Sequence, residues 1–219
     1  MTIRRATYGQ DAYAAIRAAI VDGRLTPGSK VVVRPLAEEL GLSPTPIKGA
    51  LAALEREGFL VAVPHRGYFV PDVSAADMNE IYELREVLDG IAARRSATGR
   101  AHAELAGQLK ELLDRQHECV ARGDLAGYSE LDVTFHRAIL TASGNTRLLR
   151  VADNLLGQLR LGRIASTQVP GQVATSLTGH ARIIAAIEAG DGSAAENAVR
   201  DHVRAAGAAL NAYMRTRHY

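Results

Sequence analysis

The sequence predicts a mainly α-helical protein in two parts, divided near residue 72. Three observations carry this. Ala, Leu and Arg are the commonest of the 219 residues and Trp is absent, a composition that favours helices. Before residue 72, helical spacings are interrupted by turn signals and then give way to two short β-rich runs. From residue 75 onward the strongly periodic segments all have helical spacing, and no convincing strand is found.

The elements of the first part can be taken in order. Ala15, Ile16, Ala19 and Ile20 give helical spacing from residue 11 to 22. GRLTPGSKV (23–31) breaks it with two glycines and a proline. A short helical piece over 35–40 ends at Gly41, a residue type that favours helix C-termini. LSPTPIKGAL (42–51) follows, with Ser43 as an N-cap candidate and two prolines in the first turn, where the backbone N–H groups have no helical partner to lose. Ile47, Ala50, Leu51 and Leu54 continue that helix over 44–57, and Gly58 ends it. FLVAV (59–63) reads as a strand, PHRG (64–67) as a turn and YFV (68–70) as a returning strand.

Helix, helix, turn, helix and hairpin is the order of a winged helix-turn-helix, expected over 1–72. Such a unit lays its second motif helix in the DNA major groove, N-terminal residues against the bases. Ser43, Thr45 and Lys48 are then expected at the groove, Arg34 at the phosphate backbone, and His65, Arg66 and Gly67 at the wing tip. Residues 1–72 hold nine Lys/Arg against seven Asp/Glu, and the remainder 17 of each, so the small basic excess lies in this part. The plainer alternative is a small helical domain whose capped helix merely packs.

PDVSAAD (71–77) reads as a linker, with Ser74 and Asp77 opening the next helix as a capping-box-like pair. Helices are then expected at about 75–98, 102–122, 124–142, 146–166, 173–189 and 192–214, an all-α bundle over 73–219. Three of them place polar residues on apolar stripes. Asp132 and His136, four apart, share a face beside Tyr128, Phe135 and Ile139. His180 lines up with Ile183, Ile184 and Ile187, and His202 with Val199, Val203 and Ala206. An ionisable group on a core stripe is costly unless paired or metal-bound. One carboxylate and three imidazoles suit a borderline divalent metal, Zn first, with Ni and Mn as the alternatives. The spacing equally admits three separate hydrogen-bonded core histidines. His65, His102, His117 and His218 lack such a stripe and are expected in solvent, the wing excepted.

One cysteine, Cys119, cannot close an intramolecular disulfide, and neither a membrane-length apolar run nor a signal-peptide core is found. A soluble, cytoplasmic protein is expected. No nucleophile-elbow, phosphate-loop or HExxH pattern is present, which weighs against a metal-dependent hydrolase or lyase carrying a nucleic-acid-binding appendage. A metal acting only as a structural staple is the third reading.

LAEELGLSPTPIKGALAALEREGFL followed by PHRGYFV resembles the winged helix of GntR-type bacterial transcription regulators. IYELREVLDG, LDVTFHRAIL, SGNTRLL, GHARIIAAIEAGD and AVRDHV resemble the FCD ligand-binding domain of the FadR subfamily, in its metal-binding branch. The resemblance implies a homodimer on a pseudo-palindromic operator, usually a repressor, with a small organic acid held against a divalent metal. Asp132, His136, His180 and His202 match the family's metal ligands. Arg85 matches a position that often faces the effector cavity; a surface salt bridge to a neighbouring Glu is its alternative. Departures are Pro44 and Lys48-Gly49, where the family usually has arginine and then arginine-glutamate. Lysine lacks the bidentate fork that reads guanine. Gly179 stands where an acidic residue usually precedes the second metal histidine.

Overall fold

The structure, a computed structural model, describes residues 4–72, 74–159 and 167–216, in two compact units, Met1–Val73 and Ser74–Tyr219. The first unit runs α1 (Arg4–Val21), β1 (Lys30–Val31), α2 (Val33–Leu40), α3 (Pro44–Arg56), β2 (Val61–Val63) and β3 (Gly67–Phe69). Its strands form one antiparallel sheet in the order β1-β3-β2. Helix α1 packs on α3, and Ile16, Ile20, Ile47, Leu51, Leu54, Phe59 and Leu60 are fully buried.

Four details differ from expectation. Helix α1 begins at Arg4 rather than Asp11, because RRATYGQ carries no apolar stripe to reveal it. Strand β1 falls inside a stretch read as a break. It has two residues, too few to alternate, and exists through its pairing of Lys30 with Phe69 and Val31 with Tyr68. Strand β2 starts at Val61, not Phe59, because the Phe59 N–H donates to Leu54 O (2.9 Å) and so closes α3. Ser43 occupies the N-cap position of α3 with extended backbone but makes no capping hydrogen bond. A cap oxygen accepts from the second or third helical N–H, and the third residue here, Pro46, has none. Helix α2 does end as expected at a left-handed Gly41 (φ 63°), which lets Leu42 N–H reach Ala37 O (2.9 Å).

The second unit holds α4 (Ala75–Ala97), α5 (His102–Ala121), α6 (Leu125–Ala142), α7 (Thr146–Leu159), α8 (Gln172–Glu188) and α9 (Gly192–Thr216). The last part of the expected 146–166 helix, 160–166, lies outside the described residues. Ser74 caps α4, its Oγ accepting from Asp77 N–H (3.0 Å). Helix α4 packs against α9, α6, α7 and α8, while α5 packs on α6 and α8. Among the described residues no helix is long and apolar enough to cross a membrane.

Helices α4 and α9 lie antiparallel in a strict register. Asn211 meets Asn79 (3.2 Å), Arg204 meets Glu86 (2.5 Å) and Arg94 meets Glu196 (3.2 Å). Between those polar rungs, and just beyond the last of them, the helices approach at glycines. A Cβ on Gly90 would stand 2.9 Å from Arg200 Cγ, one on Gly192 2.8 Å from Thr98 Cγ2, and one on Gly207 2.8 Å from Tyr82 Cβ. The outward side of α4 leaves Leu84, Val87 and Ile91 exposed, three and four residues apart, and α7 exposes Val151.

These glycines predict opposite responses to one methyl group. Gly207→Ala has no room and is expected to cost about 1–3 kcal/mol. Gly49, inside α3 with nothing within 4 Å of a built Cβ, is expected to gain roughly 0.5–1 kcal/mol on replacement by Ala. Thermal or denaturant unfolding of the two variants checks both signs.

Candidate functional site

The site in the second unit is assembled from helix faces. On α6, Asp132 and His136 are one turn apart, as expected; α8 brings His180 and α9 brings His202. One ligand nitrogen from each of the three imidazoles lies within 4.8 Å of the others. His202 Nε2 is 3.3 Å from His136 Nε2, and His180 Nε2 is 3.4 Å from Asp132 Oδ1. His136 and His180 are buried, His202 and Asp132 partly so. Phe135 stacks on His180 with ring centres 4.1 Å apart and fixes its plane. His180 Nε2 is buried without a hydrogen-bond partner. A donor atom left bare among other lone pairs is what a cation would satisfy, so this set fits a divalent metal chemically.

The glycine departure now has a physical reading. A Cβ at residue 179 would lie 2.6 Å from His202 Nδ1. His202 takes the space that a side chain there would use, and Gly179 permits its seat.

A small cavity of about 50 Å³ adjoins the cluster. Tyr82, Arg85, Tyr128, Ser129, Gln172 and Ser176 line it together with Asp132, His136 and His202. Arg85 is buried at 5% exposure, and its Nε and Nη2 donate to one oxygen of Asp89 (3.1 and 2.8 Å). The surface pairing with a glutamate is thereby corrected: the partner is a buried aspartate one turn on. Burial disfavours the guanidinium charge, but Asp89, Tyr82 and Asp132 outweigh it and raise the pKa. Burial likewise pushes the Asp89 carboxyl up, against the pull of Arg85. Asp89 Oδ2 also lies 3.9 Å from His136 Nδ1, beyond hydrogen-bond range.

Two residues of this site escape the sequence reading. Asp89 is four residues from Arg85, a legible helical pair passed over for nearer glutamates. Gln116, fully buried on α5, meets His180 Nδ1 at 2.9 Å. It sits on the stripe of Leu105, Leu109 and Cys119, the same signal that marks the histidines. Of the other histidines, His117 is exposed, His102 is half-buried with Nδ1 3.0 Å from Gly99 O, and His218 lies outside the described residues.

In the first unit, Ser43, Thr45 and Lys48 all lie exposed at the start of α3. Arg34, on α2, is exposed and pairs with Glu38 (3.0 Å). At the wing tip His65, Arg66 and Gly67 are exposed, and Arg66 lies over the Phe69 ring (5.4 Å). Arg66 N–H donates to Val63 O (3.0 Å), closing a turn with Pro64 second and His65 third. His65 carries φ 60°, an uncommon value for a residue other than glycine, which holds its side chain outward.

A three-stranded winged helix joined in one chain to a helical bundle with a polar pocket defines a DNA-binding transcription regulator. The family descriptions agree: "Bacterial regulatory proteins, gntR family" matches residues 8–70 and the FCD domain matches 80–205. The chain belongs to the GntR family, with an FCD domain as its C-terminal part. It is 34% identical to a "Probable D-xylose utilization operon transcriptional repressor" of Paenarthrobacter nicotinovorans, over 85% of this chain and 81% of the relative. It is 25% identical to the HTH-type transcriptional repressor RspR of Escherichia coli, over 89% and 85%. The solved structure of E. coli McbR/YncC shares the fold, with TM-score 0.76 at 22% identity over 93% of this chain and 96% of that one. Family and relatives are transcription regulators and not enzymes.

Burial holds the His180 and His202 pKa values down to about 3, with His180 adding to the effect on His202. Unfolded, both titrate near 6.5. Between those values the unfolded chain binds more protons, so stability is full above about pH 6.5 and is lost as pH falls towards 3. Metal-free protein is expected to lose up to about 1.4 kcal/mol per pH unit for each histidine, less for the partly exposed His202. Urea unfolding from pH 7.5 to 4 measures this, and His180→Gln should flatten the profile.

Proposed function

We propose that the protein is an effector-responsive repressor, acting in the cytoplasm, that binds a pseudo-palindromic operator as a homodimer. Residues 1–72 are its DNA-binding domain, and residues 73–219 its metal, effector and dimerisation domain. The observation that carries this reading is the convergence of three imidazoles from three helices beside a cavity whose wall holds a buried arginine. Asp132, His136, His180 and His202 would hold a divalent metal, Zn first for that donor set, with Ni or Mn as alternatives. Its charge would anchor the carboxylate of a small organic acid, and Arg85 would face the same anion. Hydroxyl and amide groups of Tyr82, Tyr128, Ser129 and Gln172 would take the rest of the ligand.

On the DNA side, Ser43, Thr45 and Lys48 would meet the major groove, Arg34 the backbone, and His65, Arg66 and Gly67 the wing contact. The absence of an arginine at position 44 shifts weight from base reading to phosphate contacts. The apolar stripe of Leu84, Val87 and Ile91 supports the dimer, because a two-fold axis can place such a patch against its own copy. Effector binding would act by population shift, favouring an arrangement of the two winged helices that fits the half-sites less well. A tenfold loss of operator affinity requires about 1.4 kcal/mol of coupling.

Elemental analysis of untagged protein tests the metal. About one ion per chain is expected, lost in His136→Ala and His202→Ala. Thermal shift with a panel of small carboxylates then tests the pocket, and Arg85→Met should abolish the response; a metal-loaded protein indifferent to every carboxylate would leave the ion a structural staple. For DNA, Arg34→Ala should lower the slope of log affinity against log salt by about 1, measured on a natural upstream fragment. For assembly, Leu84→Arg should convert dimer to monomer in sedimentation velocity.

A further inference from the structure

We infer that Gln116 is the positioning residue that decides which nitrogen His180 offers to the cluster, an inference that rests on the metal reading above. Gln116 reaches across from α5 to α8 and is fully buried. Its Oε1 stands 2.9 Å from His180 Nδ1. A carbonyl oxygen can only accept, so the bond exists when Nδ1 carries the hydrogen. A neutral imidazole has one N–H, and Nε2 is therefore left as a bare lone pair. That lone pair points where it has no hydrogen-bond partner, towards Asp132 Oδ1 at 3.4 Å. Two acceptors face one another there, an arrangement that gains from a cation and loses in its absence.

The opposite tautomer would undo the site. With hydrogen on Nε2, His180 would donate to Asp132 and present no lone pair, and the cluster would have two imidazole donors instead of three. Asp132 Oδ1, 3.4 Å from Nε2, pulls towards that opposite tautomer, and Gln116 is the nearer of the two competing acceptors, at 2.9 Å from Nδ1. Phe135 stacks on the face of the imidazole and fixes its plane but not its proton. The cost of the device lies in the amide itself: Gln116 Nε2 is buried without a partner, which is unfavourable for folding and so argues for another use of the residue.

The test uses full-length protein labelled with 15N-histidine and stripped of metal. Long-range 1H–15N correlation identifies the protonated nitrogen, with His180→Gln assigning the signal. The expected result is hydrogen on Nδ1 of His180; hydrogen on Nε2 would overturn the inference whether or not any metal binds. Zinc affinity, by competition with a chromophoric chelator, is expected to fall roughly 10–100-fold in Gln116→Leu. Gln116→Glu, which keeps an acceptor oxygen at the same chain length, is expected to bind zinc at least as tightly as wild type. A purely structural role predicts the reverse ordering of effects: loss of metal-free thermal stability in Gln116→Leu with zinc affinity unchanged, and that would sink the assignment. Wild-type protein that takes up no zinc, nickel or manganese would overturn the metal reading itself; the tautomer then decides Gln116 alone.

Discussion

The site depends on how closely α4 and α9 can lie. Gly90, Gly192 and Gly207 remove side chains at the places where the two helices touch, and polar pairs at 79/211, 86/204 and 94/196 fix how far one is slid along the other. Helix α4 carries Arg85 and Asp89, and α9 carries His202. A slide of one turn, about 5.4 Å, would take His202 away from His136 and leave Arg85 beside a different wall. Exposed ion pairs such as Arg204 with Glu86 add little stability by themselves. Their value here is registration, while the glycines set the distance.

The cavity combines two kinds of order. Asp132 and His136 are held by their spacing on a single helix, which tolerates little variation. His180 and His202 come from other helices and are oriented by what surrounds them: Phe135 and Gln116 for the first, the bare backbone of Gly179 for the second. Arg85 stands in the wall and is paired with the buried Asp89. Removing either one would leave the other charge buried and uncompensated, a loss of about 3–5 kcal/mol, so the pair is as much a part of the core as of the pocket.

Much of this was legible in the sequence, for reasons that can be named. Apolar spacing revealed the helices of both parts, and the same spacing exposed Asp132, His136, His180 and His202 as polar intruders on core stripes. Strand β1 was not legible, since two residues cannot show alternation and only Tyr68 and Phe69, nearly forty positions away, make Lys30 and Val31 a strand. Gln116 carried a readable signal, but an amide raises less suspicion than a charge when only type and spacing are known. The i,i+4 spacing of Arg85 and Asp89 was legible as a helical pair, but Glu83 and Glu86 are also near in sequence, and burial of the α4 face is what picks out Asp89. At Ser43 a proline removes one of the two N–H groups a cap oxygen can accept from, and the other, on Thr45, is left unused by it.

Helix α4 runs unbroken for 23 residues from its Ser74 cap, and three different faces of it are committed: Leu84, Val87 and Ile91 outward, Arg85 and Asp89 inward, Tyr82 and Gly90 against α9. Each residue in a helix turns the next by about 100°. One inserted or deleted residue within α4 would therefore rotate every face beyond it out of line with the others. Substitutions along this helix can be absorbed singly, face by face. A change in its length cannot, so lineages of this protein should vary in the loops on either side of α4 while keeping its residue count.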